Sequence, residues 1–162
     1  MTQEFQEQMF DFFEKKGIND FIGVPDSTLK NFIRQGIERK KIIIATREEE
    51  AIGIAAGMLL AGSKSLVFMQ NAGFANSLST ITSLIQLYQF PLIFLIGWRG
   101  YKKNDAPEHK KIGKIQPELL KSLQLKSKIL NLKNWEKNCQ WAITENKRGN
   151  SCALIIPREF VD

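Results

Sequence analysis

The sequence predicts an α/β protein: a single three-layer α/β/α domain on a mostly parallel sheet of about six strands. Three observations carry this. Short β-branched and aliphatic runs alternate with amphipathic stretches along the whole chain, and that alternation implies a parallel sheet with helices on both sides. Several of the runs are nearly all apolar, as strands buried on both faces are. The 162 residues suffice for one domain with a real core and are too few for two.

Taken in order, the expected strands are Phe21–Val24, Lys41–Thr46, Ser65–Gln70, Leu92–Gly97, Lys128–Leu132 and Cys152–Ile156. Between them the expected helices are Thr2–Lys16, Ser27–Arg39, Glu48–Ala61, Ala75–Tyr88, Gln116–Leu123 and Trp135–Arg148. The first helix puts Phe5, Met9, Phe12 and Phe13 on one face. Asp26-Ser27 and Asn134 read as helix starts, because short polar side chains cap free N–H groups. Gly17 and Gly149 read as stops, since glycine takes the left-handed conformation that ends helices. The stretch Trp98–Lys114 is expected to be a long loop, and long loops in compact domains are often functional.

Composition excludes several classes. The chain is 43% hydrophobic and 25% charged, an ordinary globular balance. No apolar run approaches the ~20 residues of a membrane span, and the acidic start, Met1-Thr-Gln-Glu, is not a signal peptide. Cys139 and Cys152 have no metal-site spacing, so reduced thiols in a cytoplasmic protein are expected. The net charge of +6 comes from scattered lysines, with no basic stripe of a nucleic-acid binder. Lys102, Lys103, Lys110, Lys111 and Lys114 form the densest group, read either as solvated surface or as attraction for an anionic substrate.

Parallel sheets bind ligands at the carboxyl ends of their strands. There the chain offers Gly23-Val-Pro-Asp-Ser27, Thr46-Arg-Glu-Glu-Glu50, Met69-Gln-Asn-Ala-Gly-Phe-Ala-Asn76, and Gly97-Trp-Arg-Gly100 with Asn104-Asp-Ala-Pro-Glu-His109. No dinucleotide or phosphate-loop glycine pattern occurs, and no metal-ligand spacing or nucleophile elbow. Glu48, Glu49 and Glu50 precede Ala51–Gly62, a stretch without a polar side chain. They read equally as complements of a helix dipole and as carboxylates delivered into apolar surroundings for a purpose. Glu48 shares a face with Ile52, Ala55, Ala56 and Leu59. A helix this apolar is central to the core or at a subunit interface. Asp26-Ser27 also reads as a plain cap, Gln70 and Asn71 as turn formers, and His109 as a solvated side chain.

Together these motifs resemble the pyrimidine-binding domain of thiamine-diphosphate-dependent decarboxylases, and within them the phosphonopyruvate and sulfopyruvate decarboxylase group. The matching segments are Gly23–Ser27, Glu48–Gly57, Met69–Asn76, Gly97–Gly100 and Asp105–His109, in order, over nearly the whole chain. The resemblance implies a thiamine-diphosphate-binding fold of the pyrimidine type over residues 1–162. It implies that Glu48 meets N1′ of the cofactor's aminopyrimidine, stabilising the imino form whose 4′-nitrogen removes the thiazolium C2 proton. That role calls for a carboxyl that can keep its proton, and apolar burial favours the neutral form. Asp26 and His109 are implied as further catalytic groups. Pro25, Gln70, Asn71 and Gly73 are implied around the pyrimidine, and Ser27, Arg99, Lys102 and Lys110 toward the substrate's anionic tail.

The chain departs from the family pattern at Ala72 and Phe74, where Ser and Leu are expected, and at Arg47, where Asn is common. It also lacks the Gly-Asp-Gly motif that holds the diphosphate through Mg²⁺. The resemblance therefore implies an α subunit completed by a β subunit carrying that motif, in a heterotetramer or larger assembly. No metal ligand is assigned to this chain. The expected substrate is a small anionic 2-keto acid. The Trp-Arg-Gly and Asp-x-Pro-Glu-His segments lean slightly toward phosphonopyruvate, and the Thr46–Glu50 string toward sulfopyruvate. Two other readings stand beside this: a non-catalytic assembly or regulatory subunit, and a basic nucleotide or nucleic-acid binder.

Overall fold

The computed structural model describes residues 2–102 and 104–158; Lys103 of the basic group lies outside them. Six parallel strands form one sheet in the order β2-β1-β3-β4-β6-β5. They are β1 (Asp20–Gly23), β2 (Ile42–Ile44), β3 (Ser65–Gln70), β4 (Ile93–Trp98), β5 (Ser127–Ile129) and β6 (Cys152–Pro157). The helices are α1 (Thr2–Lys15), α2 (Lys30–Glu38), α3 (Glu48–Leu60), α4 (Asn71–Asn76), α5 (Leu78–Thr80), α6 (Pro107–Ser122) and α7 (Trp135–Lys147). A short 3₁₀ turn, Ser27–Leu29, precedes α2, and α5 runs on into a π-helical segment, Ile81–Gln86.

The three expected layers are present. Alternate residues of the central strands feed two separate cores. Leu66, Phe68, Ile93, Leu95, Cys152 and Leu154 pack with α1, α2 and α7. Val67, Met69, Phe94, Ile96, Ala153 and Ile155 pack with α3, the α4-to-π segment and α6. This is why β3, β4 and β6 carry uninterrupted apolar runs: the pleat sends every second side chain to the opposite layer, and both layers are covered. On the first face Phe10, Phe21, Phe32 and Phe68 form a chain of ring contacts. Phe10 is fully buried there, while Phe12, expected on that face, only flanks it beside Trp135.

Two helix starts differ from expectation. Neither Asp26 nor Asn134 caps its helix through its side chain. Helix α2 is capped from across the domain instead. Gln6 of α1 accepts the Asn31 and Phe32 N–H groups through Oε1 and donates to the Thr28 carbonyl. The first N–H groups of a helix have no internal partner, so one buried amide supplies what a local cap would have. Asn134 is held in the turn before α7, accepting the Asn131 N–H and donating to the Ile129 carbonyl. The stops hold: Gly17 and Gly149 have φ of +88° and +85°.

The larger correction concerns Trp98–Lys114, which is not one long loop. Helix α6 begins at Pro107, where a missing N–H costs nothing, and so takes in His109 and Lys110. It continues through Pro117, which cannot donate to the Gly113 carbonyl four residues earlier. The Trp98 indole N–H donates to that carbonyl at 2.9 Å, so the interior proline leaves no orphan there. Helix α4 likewise starts at Asn71, four residues before the expected Ala75.

Candidate active site

Parallel pairing places the ends of β1, β2, β3 and β4 on one edge, and β1 and β3 flank the point where the strand order reverses. At that edge side chains from separate loops meet. Asp26 follows β1 and is 5% exposed. Its Oδ1 accepts from Gln70 Nε2 at 3.0 Å, whereas its buried Oδ2 has no partner among the described residues. That carboxylate reaches its position because residue 97 is glycine: a Cβ there would lie 2.1 Å from Asp26 Oδ2.

A second glycine shapes the place of Glu48. A Cβ on Gly73 would lie 2.2 Å from Glu48 Oε1, so the first turn of α4 is cut back to admit the carboxyl. Glu48 is half-buried and has no hydrogen-bond partner among the described residues. Its neighbours on the same helix face, Ile52, Ala55 and Ala56, are buried. The other two carboxylates of the run serve the helix start. Glu50 accepts the Thr46 N–H at 2.7 Å, and Glu49 lies 3.8 Å from Arg47.

Arg99, after β4, is fixed rather than free. Its Nε and Nη2 donate to the Asp105 carboxylate, and Nη1 points to Ser27 Oγ at 3.3 Å. Asn71 holds the Arg99 backbone on both sides, donating to its carbonyl and accepting its N–H. Asp105 also accepts the N–H groups of Gly100 and Ala106 and a hydrogen bond from Arg158. The Arg99 hydrogen bonds hold the Asp105 carboxyl well below the usual carboxylate range and raise Arg99 itself. Gly100, at φ +77°, brings this turn against the His109 carbonyl, where a Cβ would stand at 1.9 Å.

The structure thus joins Asp26 with Gln70, Ser27 with Arg99, Asn71 with Arg99, and Glu48 with Gly73. Pro25 sits exposed at the β1 turn, and Lys102 and Lys110 are exposed, with no side-chain hydrogen bond to the cluster among the described residues. His109 lies on the first turn of α6 with 17% of its side chain exposed. Sequence reasoning missed the holding role of Asp105 and the accommodating role of Gly97, although both stood inside quoted motifs. No sequence spacing reveals which side chain a turn folds back upon.

The second helical layer carries a further feature. Between Glu50 and Arg99 the only charged residue is Lys64. Beyond its first turn, helix α3 therefore presents an uncharged surface together with the α4-to-π segment, and Leu60, Leu87 and Tyr88 are at least 63% exposed. Among the described residues no group of three or more His, Cys, Asp or Glu could hold a metal ion, and no helix is long and apolar enough to cross a membrane.

Comparison with known proteins identifies the family and the fold. The family described as thiamine pyrophosphate enzyme, N-terminal TPP binding domain, matches residues 3–125. Sulfopyruvate decarboxylase subunit alpha of Methanocaldococcus jannaschii is 44% identical over 104 residues, covering 62% of each chain. The subunit of the same name from Methanococcus maripaludis is 33% identical, covering 67% of this chain and 66% of that one. These matches span under two thirds of the relatives' own length. Phosphonopyruvate decarboxylase of Streptomyces viridochromogenes is 33% identical over 64% of this chain and 27% of its own. In fold, benzoylformate decarboxylase from Polynucleobacter necessarius superposes with a TM-score of 0.77 at 17% identity, over 97% of this chain and 30% of that one. The five motifs, the sheet order and the family match together place this chain in the thiamine pyrophosphate enzyme family, as its N-terminal TPP-binding domain.

Proposed function

We propose that the chain is the α subunit of a thiamine-diphosphate-dependent decarboxylase of an anionic 3-substituted pyruvate. The observation that carries this is Glu48: a carboxyl without a protein partner, admitted by Gly73 and backed by an apolar helix. The site fits the cofactor's pyrimidine end on two counts. Gly73 admits the Glu48 carboxyl where any Cβ would clash with it, and Asp26 Oδ2 is a buried oxygen without a hydrogen-bond partner among the described residues.

When bound, thiamine diphosphate supplies the electron sink that makes loss of CO₂ from a 2-keto acid feasible. The chain's own residues hold and orient. Glu48 shares a proton with a ring nitrogen of the pyrimidine. Asp26, steadied by Gln70, presents an acceptor at the substrate side, and Asn71 and Asp105 fix the Arg99 turn beside Ser27. Lys102 and Lys110, rather than the committed Arg99, are the cations available to a sulfonate or phosphonate tail. His109 is assigned to proton handling from the α6 start.

Of the two substrates, sulfopyruvate now has the better support, because the relative that is 44% identical carries that name, against 33% for the phosphonopyruvate decarboxylase; the slight sequence leaning toward phosphonopyruvate yields to it. A partner subunit is supported by those relatives being named subunit alpha and by the uncharged α3-to-π surface, which suits burial against a second chain. That partner is assigned the diphosphate and Mg²⁺, in a heterotetramer or larger assembly. A cytoplasmic setting is supported by Cys139 and Cys152, which are free and buried.

The test is co-expression with a Gly-Asp-Gly partner subunit. CO₂ release from sulfopyruvate and phosphonopyruvate is then measured with thiamine diphosphate and Mg²⁺. Activity that collapses in Glu48→Gln is expected. Turnover of neither acid, or full activity of Glu48→Gln, would end the proposal.

A further inference from the structure

A groove of ≈ 560 Å³ joins the turn after β1 to α2. Pro25, Asp26 and Ser27 line it from the turn, and Lys30, Ile33, Arg34, Ile37 and Glu38 from the helix. Most of its charges are already met. Arg34 pairs with Glu7 at 2.6 Å and lies 3.9 Å from Glu38. Asp26 has one oxygen on Gln70 and the other buried. Lys30 differs: it is exposed, and no ion pair or side-chain hydrogen bond holds its ammonium among the described residues.

Local geometry sets Lys30 beside Ser27. Ser27–Leu29 is a 3₁₀ turn, and the Lys30 N–H donates to the Ser27 carbonyl. Side chains three apart in such a turn eclipse one another, so residues 27 and 30 share a side. Ser27 is itself held, because its Oγ accepts from Arg99 Nη1 at 3.3 Å while Asp105 fixes the rest of that guanidinium. A hydroxyl that accepts in this way keeps its own O–H to donate, and nothing among the described residues takes it. An O–H donor next to an unpaired ammonium is a place for an oxyanion, since hydrogen bonds to charged groups are the strong ones. The flexible lysine stem and its rotating donors suit a rounded sulfonate or phosphonate, which needs no planar fork to match it.

We propose that Lys30, together with the Ser27 hydroxyl, holds the sulfonate or phosphonate tail of the 2-keto acid and so sets the preference for an anionic substrate. The identity of the ligand rests on the decarboxylase reading. Lys30 is thereby a third cation beside Lys102 and Lys110, one that shares a groove with Ser27.

The first test needs no turnover. Acetylation of each lysine by succinimidyl acetate is followed by peptide mass spectrometry in the full chain, alone and co-expressed with its partner subunit. The probe is 3-sulfopropanoate, in which a methylene replaces the keto group of sulfopyruvate. At saturation it should slow acetylation of Lys30 at least about tenfold and leave Lys40, exposed just beyond the far end of α2, unchanged. Butanoate, with a methyl in place of the sulfonate, should protect neither. In the co-expressed enzyme, Lys30→Gln should raise KM for sulfopyruvate at least about tenfold, with kcat within about threefold of wild type and Tm unchanged. Lys30→Arg should recover most of the affinity, and Lys40→Gln, which removes a charge without touching the groove, should leave KM as it was. Protection absent below about 10 mM in both preparations, equal protection by butanoate, a wild-type KM in Lys30→Gln, or an equal rise in Lys40→Gln overturns the proposal. If the wild-type enzyme turns over neither acid, the decarboxylase reading falls separately, and the protection measurement still decides whether Lys30 holds the anion.

Discussion

Gly73→Ala is the sharpest perturbation of the candidate active site. The added Cβ would lie 2.2 Å from Glu48 Oε1 and 2.4 Å from its Cγ and Cδ, and ordinary contact begins near 3.4 Å, so the carboxyl must retreat by about 1.2 Å (3.4 − 2.2). The clash is with the far end of a half-exposed side chain, not with backbone, so the fold can absorb it. Alanine also favours a helix over glycine by about 1 kcal/mol, which offsets residual strain. A misplacement of about 1 Å in a reacting group can cost ~100-fold in rate. The expected result, in CO₂-release assays with the partner subunit and parallel thermal unfolding, is a kcat lower by about 100-fold with Tm shifted by less than about 4 °C. Gly53→Ala is the control for stability: its Cβ would meet nothing within 4 Å, and it should stabilise the isolated chain by about 0.5–1 kcal/mol. A Gly73→Ala enzyme of wild-type kcat would refute the claim that Gly73 sets the position of Glu48. A large loss of Tm would instead place the clash in the fold.

Trp98→Phe removes the donor to the Gly113 carbonyl and should cost about 1–3 kcal/mol by urea unfolding. Adding Pro117→Ala restores a helical N–H to that carbonyl and should recover part of the loss; strict additivity of the pair would contradict the exchange. Asp105→Asn breaks a buried ion pair and should cost about 3 kcal/mol at pH 7. Because the folded state depresses the Asp105 carboxyl, its stabilisation is complete above the ordinary value near 4 and is lost as pH falls further. The gap between wild type and Asp105→Asn should therefore narrow in acid, and a gap that widens there would contradict the ion pair. Burial pushes the Cys152 thiol up to about 12 and Cys139 higher still. Neither should react with a thiol reagent at pH 8 until the protein is unfolded, so rapid native labelling would contradict their burial.

The strands were the most legible elements. Ser65–Gln70 is found with the limits its apolar run implies, and β4 and β6 differ from expectation by one residue at their ends. A strand covered on both faces must be apolar at every position, and that leaves a continuous mark in sequence. Helix α6 was only half legible. Its first part, Pro107 to Gln116, mixes lysines, a glycine and a histidine around a narrow buried face of Gly113 and Gln116, which weakens the helical period. Pro117 then reads as a breaker until Trp98 is seen to take over its unmet carbonyl. The site followed the same division. Glu48 stood out because three carboxylates run into an apolar helix, whereas Asp105 looked like one more acid in a charged segment.

The sequence by itself determined the parallel α/β architecture, the edge of the sheet where polar groups gather and the helix that carries Glu48. Periodicity and strand burial are local properties of the chain, and each residue reports them independently. The tertiary structure alone decided the trans cap from Gln6 to α2, the Asp105 clamp on Arg99 and the clearance at Gly73 and Gly97. It also decided that Gln116 is buried without a partner. Each of these depends on an atom brought close by packing of another element, and hydrogen bonding and steric exclusion act over a few ångströms of space whatever the separation along the chain.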